Sequence, residues 1–192
     1  MDITSPTYEK ELFQNLVSPA RNLTNKDFSH CTFKKCNFSE CDFSLSHFAD
    51  CTFVDCNLSN IRIMNCSFQD VSFENCKFIG VAFSAINTLL LSWQFQCCIL
   101  ELCNFDKLDI RQSRFVECTI KESDFVNTNL SESDFTGSDL LLSRFQNSNL
   151  TKVNFSRATN YYIDPTQNKL KGAKFSQPEV LSLLAGFGIE IE

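Results

Sequence analysis

Eleven cysteines in 192 residues would ordinarily point to a metal site or a disulfide framework. Their spacing argues otherwise. Cys31, Cys36, Cys41, Cys51, Cys56, Cys66 and Cys76, then Cys98, Cys103 and Cys118, fall at intervals of five or its multiples, and no Cys-x-x-Cys knuckle of the kind that grips zinc occurs. These ten read as buried, reduced, space-filling thiols, and only Cys97 lies outside the pattern. The sole imidazole bases, His30 and His47, fall on outward positions. Ser and Asp are abundant because a repeat prefers them, so a chance Ser/His/Asp grouping carries little weight. There is no Gly-rich phosphate loop, no His-Glu-x-x-His and no nucleophile elbow. The expectation is no catalytic residue, no metal ligand and no cofactor, hence a protein that is not an enzyme.

The spacing itself dictates the element that must carry these residues. From Phe28 to Phe83 a large apolar residue stands at every fifth position, and the series resumes at Leu90, displaced by two, and runs to Phe155. On an α-helix a step of five advances about 140° beyond a full turn, so the Phe side chains would wrap around all sides. On a flat strand an odd step would throw successive Phe residues onto opposite faces. The chain must turn a corner once per repeat. If the central residue and the residue two before it both point inward, the path closes into a solenoid. The second inward position fits, since it is Cys, Ser, Thr or Val almost throughout, with Ile61, Leu108 and Trp93 as the large exceptions. Such a shaft packs to crystal-like density only if one inward residue per repeat is small.

The motifs Cys-Asn-Phe-Ser-Glu (36 to 40), Ser-Asp-Phe-Thr-Gly (133 to 137) and Ser-Asn-Leu-Thr-Lys (148 to 152) resemble the A-(D/N)-L-x-x units of the pentapeptide repeat family. The resemblance spans roughly Phe28 to Phe155 and implies an all-β solenoid, a right-handed quadrilateral β-helix with four repeats, or 20 residues, per coil. Tyr162-Ile-Asp-Pro165, a repeat-like stretch and a Pro-initiated, Leu-rich helix also resemble the C-terminal segment of the quinolone-resistance (Qnr) group, whose members dimerise through it. That group implies a topoisomerase-protecting role. The partner would be a type II topoisomerase, DNA gyrase or topoisomerase IV, shielded from a quinolone, albicidin or microcin poison by a DNA-mimicking homodimer. The rival class is a scaffold or regulatory protein of the same fold.

Residues 1–192 are expected to form one domain. Residues 1–22 form an N-terminal cap, with Thr7 to Val17 helical after Pro6 and Tyr8, Leu12 and Phe13 at helical spacing. The first repeat run covers 23–83 and the second 90–160, separated by a two-residue insertion within 84–89, where Asn87 and Thr88 are the candidate loop contacts. The Qnr pattern has longer loops, so this break leans toward loop-poor relatives resembling albicidin or microcin immunity proteins. Residues 161–192 form a C-terminal cap in which Ser176-Gln-Pro-Glu179 reads as a capping box. Leu181, Leu184 and Phe187 are the expected dimer contacts. No run reaches a membrane span and the polar start is no signal peptide, so a cytoplasmic protein without membrane contact is expected.

A formal charge of −6 with a pI near 5.0 argues against direct nucleic-acid binding and favours neutral or basic protein surfaces. Stacking coils at 20 residues sets Arg114 over Asp134, Arg144 under Asp124 and Lys152 under Glu132. It leaves Glu117, Glu122 and Asp139 unpaired, and it stacks Asp50 and Asp70 as like charges in one column with His30. These five acids, Asp50, Asp70, Glu117, Glu122 and Asp139, are the candidate partner-binding surface.

Overall fold

The computed structural model describes residues 3–87, 93–187 and 189. Short parallel strands stack in sheets along the sides of a four-faced solenoid of about eight coils, with partners 20 residues apart: Phe13 pairs with Phe33, Phe33 with Phe53 and Phe53 with Phe73. The four faces can be numbered in the order in which the chain visits them. Face 1 carries Tyr8, Phe28, Phe48 and Phe68, and face 2 runs from Phe13 to Phe175. Face 3 carries Phe38, Leu58, Phe78, Leu100, Ile120 and Leu140, and face 4 carries Phe43, Ile63, Phe83, Phe105, Phe125, Phe145 and Ile163. All these central side chains are buried except the half-buried Phe175 that ends face 2. On face 2 an unbroken column of nine Phe rings runs from Phe13 to Phe175, each stacked on the next at 4.5 to 5.3 Å. Rings on neighbouring faces meet edge to face, as Phe105 and Phe115 do at 86°, an arrangement aromatic quadrupoles favour.

Each repeat turns its corner at the second residue after the central one, where 27 non-glycine residues hold a left-handed φ near +50° to +63°. Asn and Asp tolerate that region best after Gly, and they occupy many of these corners. The small inward slot does more than fill space. In most coils a Cys, Ser or Thr there donates to the central residue's carbonyl in the preceding coil, as Cys41 Sγ does to Ser18 O at 2.8 Å, Ser46 Oγ to Leu23 O at 2.9 Å and Thr128 Oγ1 to Phe105 O at 2.9 Å, while the Ser113 hydroxyl finds no partner. Thiol and hydroxyl are interchangeable there because both are small and both donate. Trp93 takes the slot by the same chemistry, its indole N–H reaching Phe68 O at 3.1 Å.

Two expectations are corrected, one at each end of the rod. The N-terminal segment is not a helical cap. Thr7–Glu9 and Leu12–Gln14 are strands paired with Asp27–Ser29 and Thr32–Lys34. Tyr8 and Phe13, five apart, point into the shaft and stack on Phe28 and Phe33, while Leu12 is exposed. An isolated helix of this length is marginal in water, whereas the first coil gains a full ladder. The solenoid therefore begins at Ile3, which adds coils to the roughly 6.5 that about 26 repeats would give.

The insertion expected within 84–89 is bracketed by Asn87 and Trp93. Asn87 N–H still donates to Cys66 O with the ordinary spacing, while Trp93 already pairs with Val71, 22 residues away. Two residues are therefore gained between Asn87 and Trp93, beyond a 3-10 turn at Phe83–Ala85.

The repeats continue to Phe175, and the closing element is a 3-10 helix, Glu179–Phe187. No capping box opens it, because the Ser176 hydroxyl accepts the Arg157 N–H of the preceding coil at 3.0 Å. Among the described residues no helix is long and apolar enough to cross a membrane.

Candidate interaction surface

All eleven thiols are free, ten of them buried and Cys97 exposed. Burial pushes the Cys51 and Cys103 thiols up to about 12, which makes both poor nucleophiles. Among the described residues no set of His, Cys, Asp or Glu side chains could hold a metal ion. His30 and His47 are both exposed, one at a corner and one on a flat face. What the solenoid presents to a partner is its outer skin.

The vertical ion pairs read from 20-residue stacking form. Arg144 grips Asp124 with both Nε and Nη2, Nη2 lying 2.7 Å from Oδ2. Lys152 Nζ lies 2.8 Å from Glu132, which also accepts from Gln112 Nε2 at 3.0 Å, and Arg114 stands 4.0 Å from Asp134. Lys152 and Gln112 together hold the Glu132 carboxyl below its ordinary value. The Arg111 guanidinium beside Asp109 does the same to that carboxyl. At such exposure these pairs add little to stability, and their main effect is to cancel local field.

The five candidate acids are distributed over the coil rather than gathered. Asp50 and Asp70 share the corner after face 1 with His30, whose Nδ1 is 3.7 Å from Asp50 Oδ2. Glu117 sits at the corner after face 2 and accepts from Gln96 Nε2 at 3.1 Å and from the Cys97 thiol at 3.7 Å. Glu122 stands at the corner after face 3. Asp139, on face 3, is not unpaired: Lys121 Nζ is 3.5 Å away and Asn160 Nδ2 is 2.8 Å away. Lys121 precedes Asp139 by 18 residues rather than 20, a diagonal neighbour that vertical stacking overlooks. Asn87 is tied to Cys66 O through its N–H, and Thr88 lies outside the described residues. Leu181, Leu184 and Phe187 are exposed on the closing helix, while Leu183 packs on the core.

Sequence reasoning missed a second kind of surface residue. Leu45, Leu102 and Leu142 occupy left-handed corners with exposed side chains. A Leu where the repeat needs φ near +60° is visible in the sequence once the register is known. Face 4 also carries two shallow recesses of about 490 and 460 Å³, one beside Leu142 and Tyr162 and one beside Arg62 and Met64.

The pentapeptide repeat region family model matches residues 26–92 and 89–164, together well over half of the chain. No curated protein sequence matches. Among solved structures, a trypsin-treated variant of QnrB1, a plasmid-mediated fluoroquinolone resistance protein, is similar with a TM-score of 0.68 at 19% identity, over 98% of this chain and 100% of that one. Full-length QnrB1 is similar with a TM-score of 0.68 at 17% identity, over 95% and 100% of the two chains. At these identities the likeness is one of fold.

Proposed function

The chain belongs to the pentapeptide repeat family, and from that premise we propose that it is a non-enzymatic DNA mimic that binds a type II topoisomerase, DNA gyrase foremost, and shields it from a poison. The observation that carries this reading is where the charge lies. Residues 36 to 150 hold 15 Asp and Glu against seven Lys and Arg, a net of −8, while each flanking segment holds four acids against five bases. The acidic stretch is thus the body of the rod, and the ends are close to neutral. Nine levels on face 2 at about 4.8 Å span roughly 38 Å, and two copies joined end to end would double it. A rod so charged is drawn to the basic channel through which a topoisomerase passes duplex, with attraction acting first on the rate of encounter. The near-neutral C-terminal end, with Leu181, Leu184 and Phe187 exposed on its closing helix, lets two copies meet without repulsion. Likeness to QnrB1 over almost the whole chain supports the same assignment.

The test is a supercoiling assay with purified gyrase, with and without a fluoroquinolone, albicidin or a microcin. Restored supercoiling in the presence of one poison is the expected result. Failure to bind gyrase or topoisomerase IV at all would hand the protein to the scaffold class.

A further inference from the structure

At the corner after face 3 the C-terminal half of the rod stacks Leu102, Glu122 and Leu142 on successive coils. Leu102 N–H donates to Lys121 O, and Glu122 N–H to Leu141 O, both at 3.0 Å. All three hold left-handed φ, 55°, 49° and 59°. Leu is a poor choice there, because its Cβ crowds the carbonyl in that region and its side chain gains no burial. Leu102 is nonetheless 57% exposed and Leu142 68% exposed, and Tyr162, one coil further, is 62% exposed. The fold gains nothing from apolar residues at these corners.

The ridge ends on a recess. Phe145 pairs with Ile163 at a spacing of 18 rather than 20, and the regular spacing returns only at Asn149 and Lys169. The short coil indents face 4 into the cleft of about 490 Å³ between Leu142 and Tyr162, with Phe145 at its floor. Arg144 at its wall is neutralised by Asp124, and Asp164 is held by the Thr166 and Gln167 side chains at 2.7 and 2.8 Å. Glu101 and Glu122, which flank Leu102, have no cation within ion-pair distance among the described residues. The surface therefore asks for apolar contact, one bulky side chain to enter the cleft, and Lys or Arg beside it.

We propose that the Leu102–Glu122–Leu142 ridge and the Tyr162 cleft are the apolar anchor of the partner interface, docking a topoisomerase segment that presents apolar side chains next to Lys or Arg. This rests on the topoisomerase reading and adds where and how the partner is gripped. Steering by net charge sets the rate of encounter, whereas desolvated apolar contacts set how long the complex lasts.

Gyrase holoenzyme binding to the full chain, followed by biolayer interferometry at fixed salt, separates the possibilities. The double variant L102N/L142N removes the apolar side chains and supplies a residue that tolerates the left-handed corner. Its Tm should rise by about 2–8 °C, and gyrase should dissociate at least about tenfold faster. L45N, at a left-handed corner elsewhere on the rod, should also raise Tm but leave dissociation unchanged. Should the double variant prove poorly folded, Tyr162→Ser carries the same expectation for dissociation. If the wild type binds and these ridge variants bind as tightly, the ridge is overturned and the topoisomerase reading stands. If the wild type does not bind gyrase, that reading fails and the anchor with it.

Discussion

Phe105→Ala tests the register of the whole shaft. Its ring is wholly buried and sits between Phe83 at 4.6 Å and Phe125 at 4.8 Å, nearly parallel to both, with the edge contact to Phe115 at 5.8 Å. Truncation removes the transfer energy of the ring and leaves a cavity that two rigidly laddered coils cannot close, about 3 to 5 kcal/mol in total. Two stacked pairs lost, at about 0.5 to 1.5 kcal/mol each, favour the upper part of that range. For a chain of this size the fall in Tm is then about 6 to 20 °C. The single Trp93 is the natural probe. It is buried, its ring lies 6.4 Å from Phe105, and its fluorescence follows urea unfolding at the site of the change. Gln146→Ala, at an exposed position of the same face, should stay within about 0.5 kcal/mol. Equal, negligible losses at Phe105 and Gln146 would refute the inward assignment of every fifth residue.

Four further outcomes are expected. Native alkylation should modify Cys97 first and the ten buried thiols only on unfolding, so rapid labelling of Cys36, Cys56 or Cys76 in the folded protein would contradict the shaft. Alkali should destabilise the fold, because Cys51 and Cys103 stay protonated to about pH 12 when folded but ionise near 8.5 when unfolded. Stability should thus be intact below about pH 8.5 and fall between about 9 and 12 by up to 1.4 kcal/mol per unit per thiol, and Cys51→Ser, which keeps the donor, should soften the fall in the urea midpoint. Replacing Leu181, Leu184 and Phe187 with Glu should give a folded monomer by light scattering, and a wild type already monomeric at micromolar concentration would refute the interface. Lys at Asp50, Asp70, Glu117 and Glu122 should abolish gyrase binding without unfolding the rod, and wild-type affinity should fall as added salt shortens the Debye length from about 8 Å; salt-independent binding would count against the mimic.

The fold was legible because one physical rule repeats: a large inward residue every five positions, with a small one two before it. That rule places Phe28 to Phe83 without any structure. It failed at the N-terminus because Tyr8, Leu12 and Phe13 satisfy a helical spacing as well as a five-residue one, and only the ladder to the next coil decides between them. The capping box at Ser176 failed for a related reason, since its hydroxyl was claimed by Arg157 on the coil before. In each case a contact across coils outweighed a local signal.

The surface was less legible because sequence supplies columns but not diagonals. Asp139 looks free when only vertical neighbours are considered and is held by Lys121 once the offset of 18 is seen. The inward slot carries the same lesson. A small residue fits by volume, yet Ala, Cys and Ser differ in whether they can donate to a carbonyl one coil back, as Cys56 does to Phe33 O at 3.3 Å. Leaving that acceptor without a donor in a dry shaft costs about 1 to 3 kcal/mol. The abundance of Cys and Ser is therefore a statement about buried carbonyls rather than about redox or catalysis. Because the shaft takes two residues of every five and the corner conformation constrains a third, only the remaining exposed positions are free to encode a partner. The corners that break their own rule, Leu102 and Leu142, are where such information is most visible.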